Sequence, residues 1–125
     1  MEYTIKINGR QLPARFTLRV AILAAERRGG NIVKLLANED QAELIADLPW
    51  LAVEMVKAGA ALRERETGIV TTNIPTVDEL LDTVDYDDLL DLQAQILAVI
   101  KKDQPTVQAE PSAEKSKNAE ATPAT

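Results

Sequence analysis

The feature that most constrains this 125-residue chain is the helical spacing of aliphatic residues within several separate segments between Leu18 and Ile100, interrupted by an extended connector at 69–75. A recurrence every three or four positions is typical of amphipathic helices. Because only four residues are aromatic, the core has to be built from Leu, Ile, Val and Ala. The length suits one domain. We therefore expect a mainly α, α+β domain with an aliphatic core.

The N-terminal residues depart from the helical period and predict a β-hairpin. Residues 2–7 alternate polar and apolar side chains, and Asn8-Gly9 is a favoured pair for a two-residue type I′ turn. The second strand is expected from about residue 10 to residue 16. Pro13 removes one ladder donor, so that part of the strand should lie at an edge or be irregular. The candidates for packing are Tyr3, Ile5, Ile7, Leu12 and Phe16.

Capping signals divide the remaining sequence into a bundle of about five or six helices. Thr17 begins the first, which ends before Gly29-Gly30. A short segment at 32–38 follows Asn31, and another helix starts near Glu39 with Leu44, Ile45 and Leu48 turned inward. The apolar face of the first helix is predicted to be Leu18, Ala21, Ile22 and Ala25.

The later helices have equally clear start signals. Pro49 suits a first helical turn, so the longest helix is predicted from there to about residue 66, with Gly59 placed where another backbone comes close. Thr76 and Glu79 form a capping box for a helix at about 77–83. Asp85 can cap the last helix, whose inward face is Leu89, Leu92, Ile96, Val99 and Ile100.

The composition changes after Lys102. Residues 103–125 contain three prolines and only one apolar residue larger than alanine apart from those prolines, Val107. Such a segment buries too little surface to offset its ordering entropy. We expect a helical domain with its hairpin at 1–102 and a disordered acidic tail at 103–125.

Charge is distributed unevenly along the chain. The first 34 residues carry seven basic side chains against two acidic ones, whereas residues 35–102 carry five bases and 14 acids. A fold does not require this separation, and opposite patches orient partners before contact. Two interpretations stay open: solvated faces that differ in sign without consequence, or a polarity used for docking.

The chain lacks the residue types on which most catalysis depends. It has no His and no Cys, and its serines, Ser112 and Ser116, lie in the predicted tail. We expect no enzymatic activity and no cofactor. The absence of cysteine fits a reducing cytoplasm, and no apolar run is long enough to cross a bilayer, so no membrane association is expected.

One acidic stretch could serve chemistry or binding. Seven acids between residues 78 and 91 occur with no base among them, but the central glycine and terminal glutamate of a calcium loop are missing, so no metal is expected. Acids also suit the first turn of a helix, and an acidic docking surface is the other interpretation. The members are Asp78, Glu79, Asp82, Asp85, Asp87, Asp88 and Asp91.

Two further alternatives concern apolar and basic surface. The apolar stripes either fill a core or leave one face, such as that from Tyr86 to Ile100, partly exposed for another copy or a client helix. The basic N-terminal region is also compatible with a small nucleic-acid-associated regulator. A net charge of −6 makes nucleic acid an unlikely partner.

The layout resembles the small tail assembly chaperones of long-tailed bacteriophages and related prophages. The resemblance covers about residues 1–102: the opening EYTIKINGRQLPARF, a helix directly after it, a helical middle, and TVDELLDTVDYDDLLDLQAQILAVI followed by a polar tail. It implies a non-enzymatic protein in the host cytoplasm that coats and solubilises the tape measure protein, helps recruit tail tube subunits, and is not expected in the mature virion.

This expectation assigns side chains to partner binding and predicts a homo-oligomer. One side would be basic, with Arg19, Arg27, Arg28 and Lys34. Trp50, at a predicted helix start, could anchor either a second copy or a client. The acidic side would contain Asp82, Asp85, Asp87, Asp88 and Asp91.

Overall fold

The computed structural model describes residues 3–27 and 41–103, which form an N-terminal hairpin and four helices. The mainly α architecture with an N-terminal hairpin is thereby confirmed. The predicted segment at 32–38 and the tail beyond residue 103 lie outside the described residues. No described helix is long and apolar enough to span a membrane. The elements are β1 (Thr4–Ile7), β2 (Arg10–Pro13), α1 (Leu18–Arg27), α2 (Gln41–Thr67), α3 (Val77–Thr83) and α4 (Tyr86–Asp103).

The hairpin turns at the predicted pair. Asn8 and Gly9 have φ angles of 51° and 80°, the left-handed conformation that a type I′ turn requires. The strands are antiparallel, with Ile5 opposite Leu12, and both side chains are buried. The second strand is shorter than predicted because the chain bends towards α2 after Pro13: the Arg15 amide donates to the Met55 carbonyl at 3.1 Å.

The long helix α2 corrects the prediction of two helices divided at Pro49. Pro49 lies inside α2, where its ring nitrogen cannot donate to the Ile45 carbonyl, at a cost of about 3 kcal/mol. Leu44, Leu48 and Leu51 are nevertheless buried on both sides of the proline. Each such side chain contributes about 1.5–3 kcal/mol, so core burial exceeds the local cost. The described residues therefore contain four helices rather than five or six.

The buried face of α1 also differs from the predicted one. Val20 and Ala24 are buried against the core, whereas Leu18 is 77% and Ile22 59% exposed. Of the predicted residues, Ala21 does pack, partly buried, against this core. Leu18 and Ile22, one turn apart on α1, lie on its exposed face.

The last two helices begin at the predicted caps. The Thr76 hydroxyl accepts from the Glu79 amide at 3.2 Å and the Glu79 carboxylate accepts from the Thr76 amide at 2.9 Å, which is a complete capping box. Asp85 accepts from the Asp88 amide at 2.8 Å. The five aliphatic residues predicted to face inward on α4 are all buried, so that stripe fills the core. Helix α4 continues to Asp103, one residue into the predicted tail.

Helix α2 lies at the centre of the described structure. Strand β2 and helices α1, α3 and α4 all pack on it, and β1 packs on α4. The Gln95 side chain of α4 accepts from the Lys6 amide at 2.7 Å and donates to the Lys6 carbonyl at 3.1 Å. An α4 side chain thus satisfies backbone groups on the outer edge of β1, where another strand would otherwise pair.

The hairpin and α2 approach each other most closely at Gly59. A Cβ atom at this position would lie 2.5 Å from the Ala14 nitrogen and 2.6 Å from the Pro13 carbonyl carbon. Both atoms belong to backbone and cannot rotate away. The prediction that Gly59 marks a close backbone approach is confirmed.

We expect Gly59→Ala to destabilise the protein by about 1–3 kcal/mol, because the added methyl group forces the hairpin away from α2. Helix propensity alone predicts the opposite sign, a gain of about 1 kcal/mol. Urea unfolding followed by circular dichroism measures the difference. A stabilised variant would show that the hairpin does not constrain α2 at this point.

Candidate functional site

The basic residues predicted to bind a partner do not form one patch. Arg19 is exposed on α1, while Arg28 and Lys34 lie outside the described residues. Arg27 instead contacts its own domain. Of the four residues predicted to form the basic side, Arg19 is therefore available on the surface, whereas Arg27 is paired with Asp47 of the same domain.

Arg27 joins α1 to α2 through a buried carboxylate. Its Nε lies 2.7 Å from Oδ1 of Asp47, whose side chain is fully buried. The guanidinium also lies over the Trp50 ring, 4.7 Å from its centroid, an arrangement that stabilises a cation by the ring quadrupole. Trp50 and Arg27, both predicted to contact a partner, thus contact each other.

Arg15 makes a second connection of the same type, between the end of the hairpin and the end of α4. Its guanidinium lies 2.8 Å from the Asp103 carboxylate, which also accepts from the Phe16 amide at 2.8 Å. The hydrogen bonds that Arg15 donates to the Asp103 carboxylate raise the pKa of Arg15. A raised pKa on a base contributes stability below the unfolded-state value, so this contribution is complete at neutral pH and is lost only in strong alkali.

Arg10 holds the connector between α2 and α3. Its guanidinium donates to the backbone carbonyls of Thr72 and Asn73. No local motif links any of these arginines to its partner, since the partners lie 20 to 88 residues away in sequence. The sequence analysis accordingly missed Arg10, Arg15, Asp47 and Asp103 as structural residues.

The seven acids of the 78–91 stretch are all exposed, and some have structural roles. Glu79 and Asp85 cap helices, and Asp91 accepts from Gln95 at 3.0 Å. Asp78, Asp87 and Asp88 lie in first helical turns, where the helix dipole favours negative charge. Asp82 is different, because it lies in the last turn of α3, where that dipole disfavours it.

An apolar groove runs between the first half of α2, helix α3 and the start of α4. It has a volume of about 120 Å³, and most of its surface is apolar. We call it the α3 groove. Its floor is buried, but Ile45, Leu81 and Tyr86 on its walls are 41%, 49% and 46% exposed. The lining residues are Ile45, Pro49, Leu80, Leu81, Val84, Asp85, Tyr86 and Leu89.

The α3 groove brings one predicted acid, Asp85, into an apolar setting, and the neighbouring Asp82 and Asp87 follow Leu81 and Tyr86 directly in sequence. The sequence analysis identified these acids but missed the groove. The prediction that Ile45 faces the core was wrong, because Ile45 is 41% exposed. The groove could have been predicted from apolar residues that directly follow buried ones, such as Ile45 after Leu44 and Leu81 after Leu80.

A larger cleft, of about 460 Å³, lies beside the contact between the hairpin and α2 and extends along the last turns of that helix. Tyr3, Arg15 and Arg63 are among its lining residues. Arg15 and Lys102 both lie over the Tyr3 ring, at 5.0 and 5.2 Å from its centroid. The charges at this cleft are therefore partly engaged with the domain itself.

Within residues 3–27 and 41–103, no group of three or more acidic, His or Cys side chains is arranged to hold a metal ion.

No protein-family model matches the chain, and the curated proteins and solved structures compared with it yielded no match either. The α3 groove, with its acidic border, is thus the candidate functional site that the geometry itself offers.

We expect Arg27→Met to lower the free energy of unfolding by about 3 kcal/mol, because it leaves the Asp47 carboxylate buried without its guanidinium. Asp47→Leu combined with Arg27→Met should recover part of this loss. Arg19→Met, on the exposed side of the same helix, should change stability by less than about 0.5 kcal/mol. Urea unfolding of the unmodified chain, of the single variants Arg27→Met and Asp47→Leu and of the double variant measures the coupling. Additive losses would contradict a direct interaction.

Proposed function

We propose that this protein is a tail assembly chaperone of a long-tailed bacteriophage or prophage. It binds and solubilises the tape measure protein and helps to recruit tail tube subunits, acting as a homo-oligomer. It works by binding rather than catalysis, in the host cytoplasm, and leaves before the virion is complete. This proposal starts from the resemblance of residues 1–102 to that family.

The structural observation that supports the proposal is the number of large hydrophobic side chains left exposed by so small a domain. They occur on every described helix and on the α2–α3 connector. Single exposed apolar side chains are common on soluble domains, but contiguous ones mark binding surfaces. Ile45, Leu81 and Tyr86 are contiguous, because they line the α3 groove together. The exposed residues are Leu18, Ile22, Ile45, Ile69, Val70, Leu81, Tyr86 and Leu90.

The charge of the chain suits a chaperone that keeps an apolar client in solution. A net charge of −6 keeps protein molecules apart in solution. A complex between this protein and an apolar client inherits that charge. Exposed apolar side chains for contact and acidic side chains for solubility are both required of a protein that prevents aggregation.

The alternative, a nucleic-acid-associated regulator, gains no support from the described residues. Phosphate binding requires a continuous basic surface. Arg10, Arg15 and Arg27 instead contact carbonyl or carboxylate groups of the domain itself. We therefore keep protein binding as the proposed activity.

Co-expression tests the proposal. We expect the product of a long, helix-rich gene next to this one to be several-fold more abundant in the soluble fraction when this chain is co-expressed, because its apolar faces are then covered. Sedimentation of the lysate followed by quantitative gel analysis measures the soluble fraction. An unrelated acidic domain of similar size is the control.

Unchanged client solubility would contradict the proposal, as would a gene neighbourhood without a tape measure gene downstream and a tail tube gene upstream. An equal effect of the unrelated acidic domain would show that charge alone is responsible. The two measurements are independent, because gene order does not depend on expression conditions.

A further inference from the structure

We infer that the α3 groove is a docking site for a basic amphipathic helix of a partner protein. The inference deepens the proposed function, on which it rests only for the identity of that partner. It concerns a defined surface and the chemistry of its ligand. The supporting observations are the shape of the groove, the charge around it and the position of Asp82.

The groove can take an apolar side chain. Its floor is formed by Leu80 and Leu89, which are 0% and 4% exposed, and its walls keep Ile45, Leu81 and Tyr86 partly open to solvent. Its volume of about 120 Å³ is close to the roughly 150 Å³ that admits a benzene ring in an engineered apolar cavity. One large aliphatic side chain can therefore enter, and the exposed wall residues can contact its neighbours.

The surface that α3 and the start of α4 present around the groove is negative, and the nearest described cation on the α2 side, Arg27, is paired with Asp47. Seven acids lie between residues 78 and 91, all exposed, and no Lys or Arg occurs from residue 67 to residue 100. Exposed charges act over a Debye length of about 8 Å at physiological ionic strength. Lysine or arginine side chains flanking an apolar anchor would lie within that distance of the acidic border.

Asp82 is the acid for which folding supplies no reason. It lies in the last turn of α3, where the helix dipole disfavours it, and no ion pair to it is found among the described residues. Asp103 has a comparable position at the end of α4 but is paired with Arg15. Asp82 follows Leu81 on the groove wall, so a basic ligand would supply the missing countercharge.

The ligand is better described as a helix than as a strand. Three helices form the groove and present side chains, whereas an extended peptide needs open backbone groups along a sheet edge. A helix satisfies its own backbone and offers apolar anchors at every third or fourth residue. Its basic residues then fall on both sides of the anchor.

Charge also decides between possible occupants. A second copy of this chain has a net charge of −6, and residues 104–125 carry three acids against two bases. Nucleic acid has the same sign as the groove border. The acids around the groove would repel nucleic acid and residues 104–125. A second copy is disfavoured there by its net charge and because Arg10, Arg15 and Arg27 contact their own domain, whereas a basic helix is attracted.

Fluorescence anisotropy with labelled synthetic peptides tests the inference on the full chain. The probe is an 18-residue amphipathic helix with Leu on one face and Lys on the other. We expect it to bind saturably, with affinity that falls as salt is added. A peptide with every Lys replaced by Glu, and a Lys/Leu peptide of scrambled order, should bind at least about ten-fold more weakly.

Matched variants locate the site. Leu81→Ser should weaken binding of the Lys/Leu helix about ten-fold, whereas Val70→Ser, at a similarly exposed site on the connector, should not. Asp82→Asn/Asp87→Asn should reduce both affinity and its salt dependence. Glu26→Gln/Glu64→Gln makes the same charge change away from the groove and should have little effect. Thermal unfolding by circular dichroism shows that each variant is folded.

Equal binding of the ordered and scrambled peptides, or equal effects of Leu81→Ser and Val70→Ser, would overturn the inference. So would a self-associated protein that Leu81→Ser converts to monomers without any peptide binding, since the occupant would then be a second copy. If Leu81→Ser still solubilises the client as well as the unmodified chain does, the docking site is wrong while the chaperone function stands.

Discussion

The contact between the hairpin and Gly59 fixes where the other elements can lie. With no side chain at this point, the backbone of Pro13 and Ala14 rests directly on α2, and the Arg15 amide donates to the Met55 carbonyl. The hairpin then has one orientation relative to the central helix. Strand β1 lies against α4, where Gln95 satisfies both backbone groups of Lys6.

Much of the basic charge near the N-terminus is used within the domain. Arg10, Arg15 and Arg27 each connect the first 27 residues to a later element, namely the connector, the end of α4 and α2. The excess of basic residues near the N-terminus is therefore explained in part by these contacts within the domain. Arg15 and Arg27 are both partly exposed to solvent, so each ion pair adds little net free energy of folding. Their main contribution is to fix how the paired elements are oriented.

Sequence patterns within a few residues predicted the hairpin turn, the caps of α3 and α4 and the inward face of α4 correctly, but specific contacts between residues distant in sequence were not predicted. The Asn8-Gly9 turn, the Thr76 capping box and the inward face of α4 each depend on residues within a few positions of one another. Pro49 misled the prediction because its own preference for a helix start is weaker than the burial of Leu48 and Leu51 around it. The Arg15–Asp103 pair spans 88 residues and leaves no local pattern.

The same distinction separates the candidate site from the rest of the acidic surface. Sequence spacing indicated the acids but not the groove, because Ile45 comes from α2 while Leu81 and Tyr86 come from α3 and α4. Caps and helix dipoles account for most of the acids, as local rules predict. They do not account for Asp82, which lies beside exposed apolar side chains at an unfavourable helix end. Because the helix dipole disfavours Asp82 and no described cation pairs with it, we infer that Asp82 belongs to a surface that binds a basic ligand.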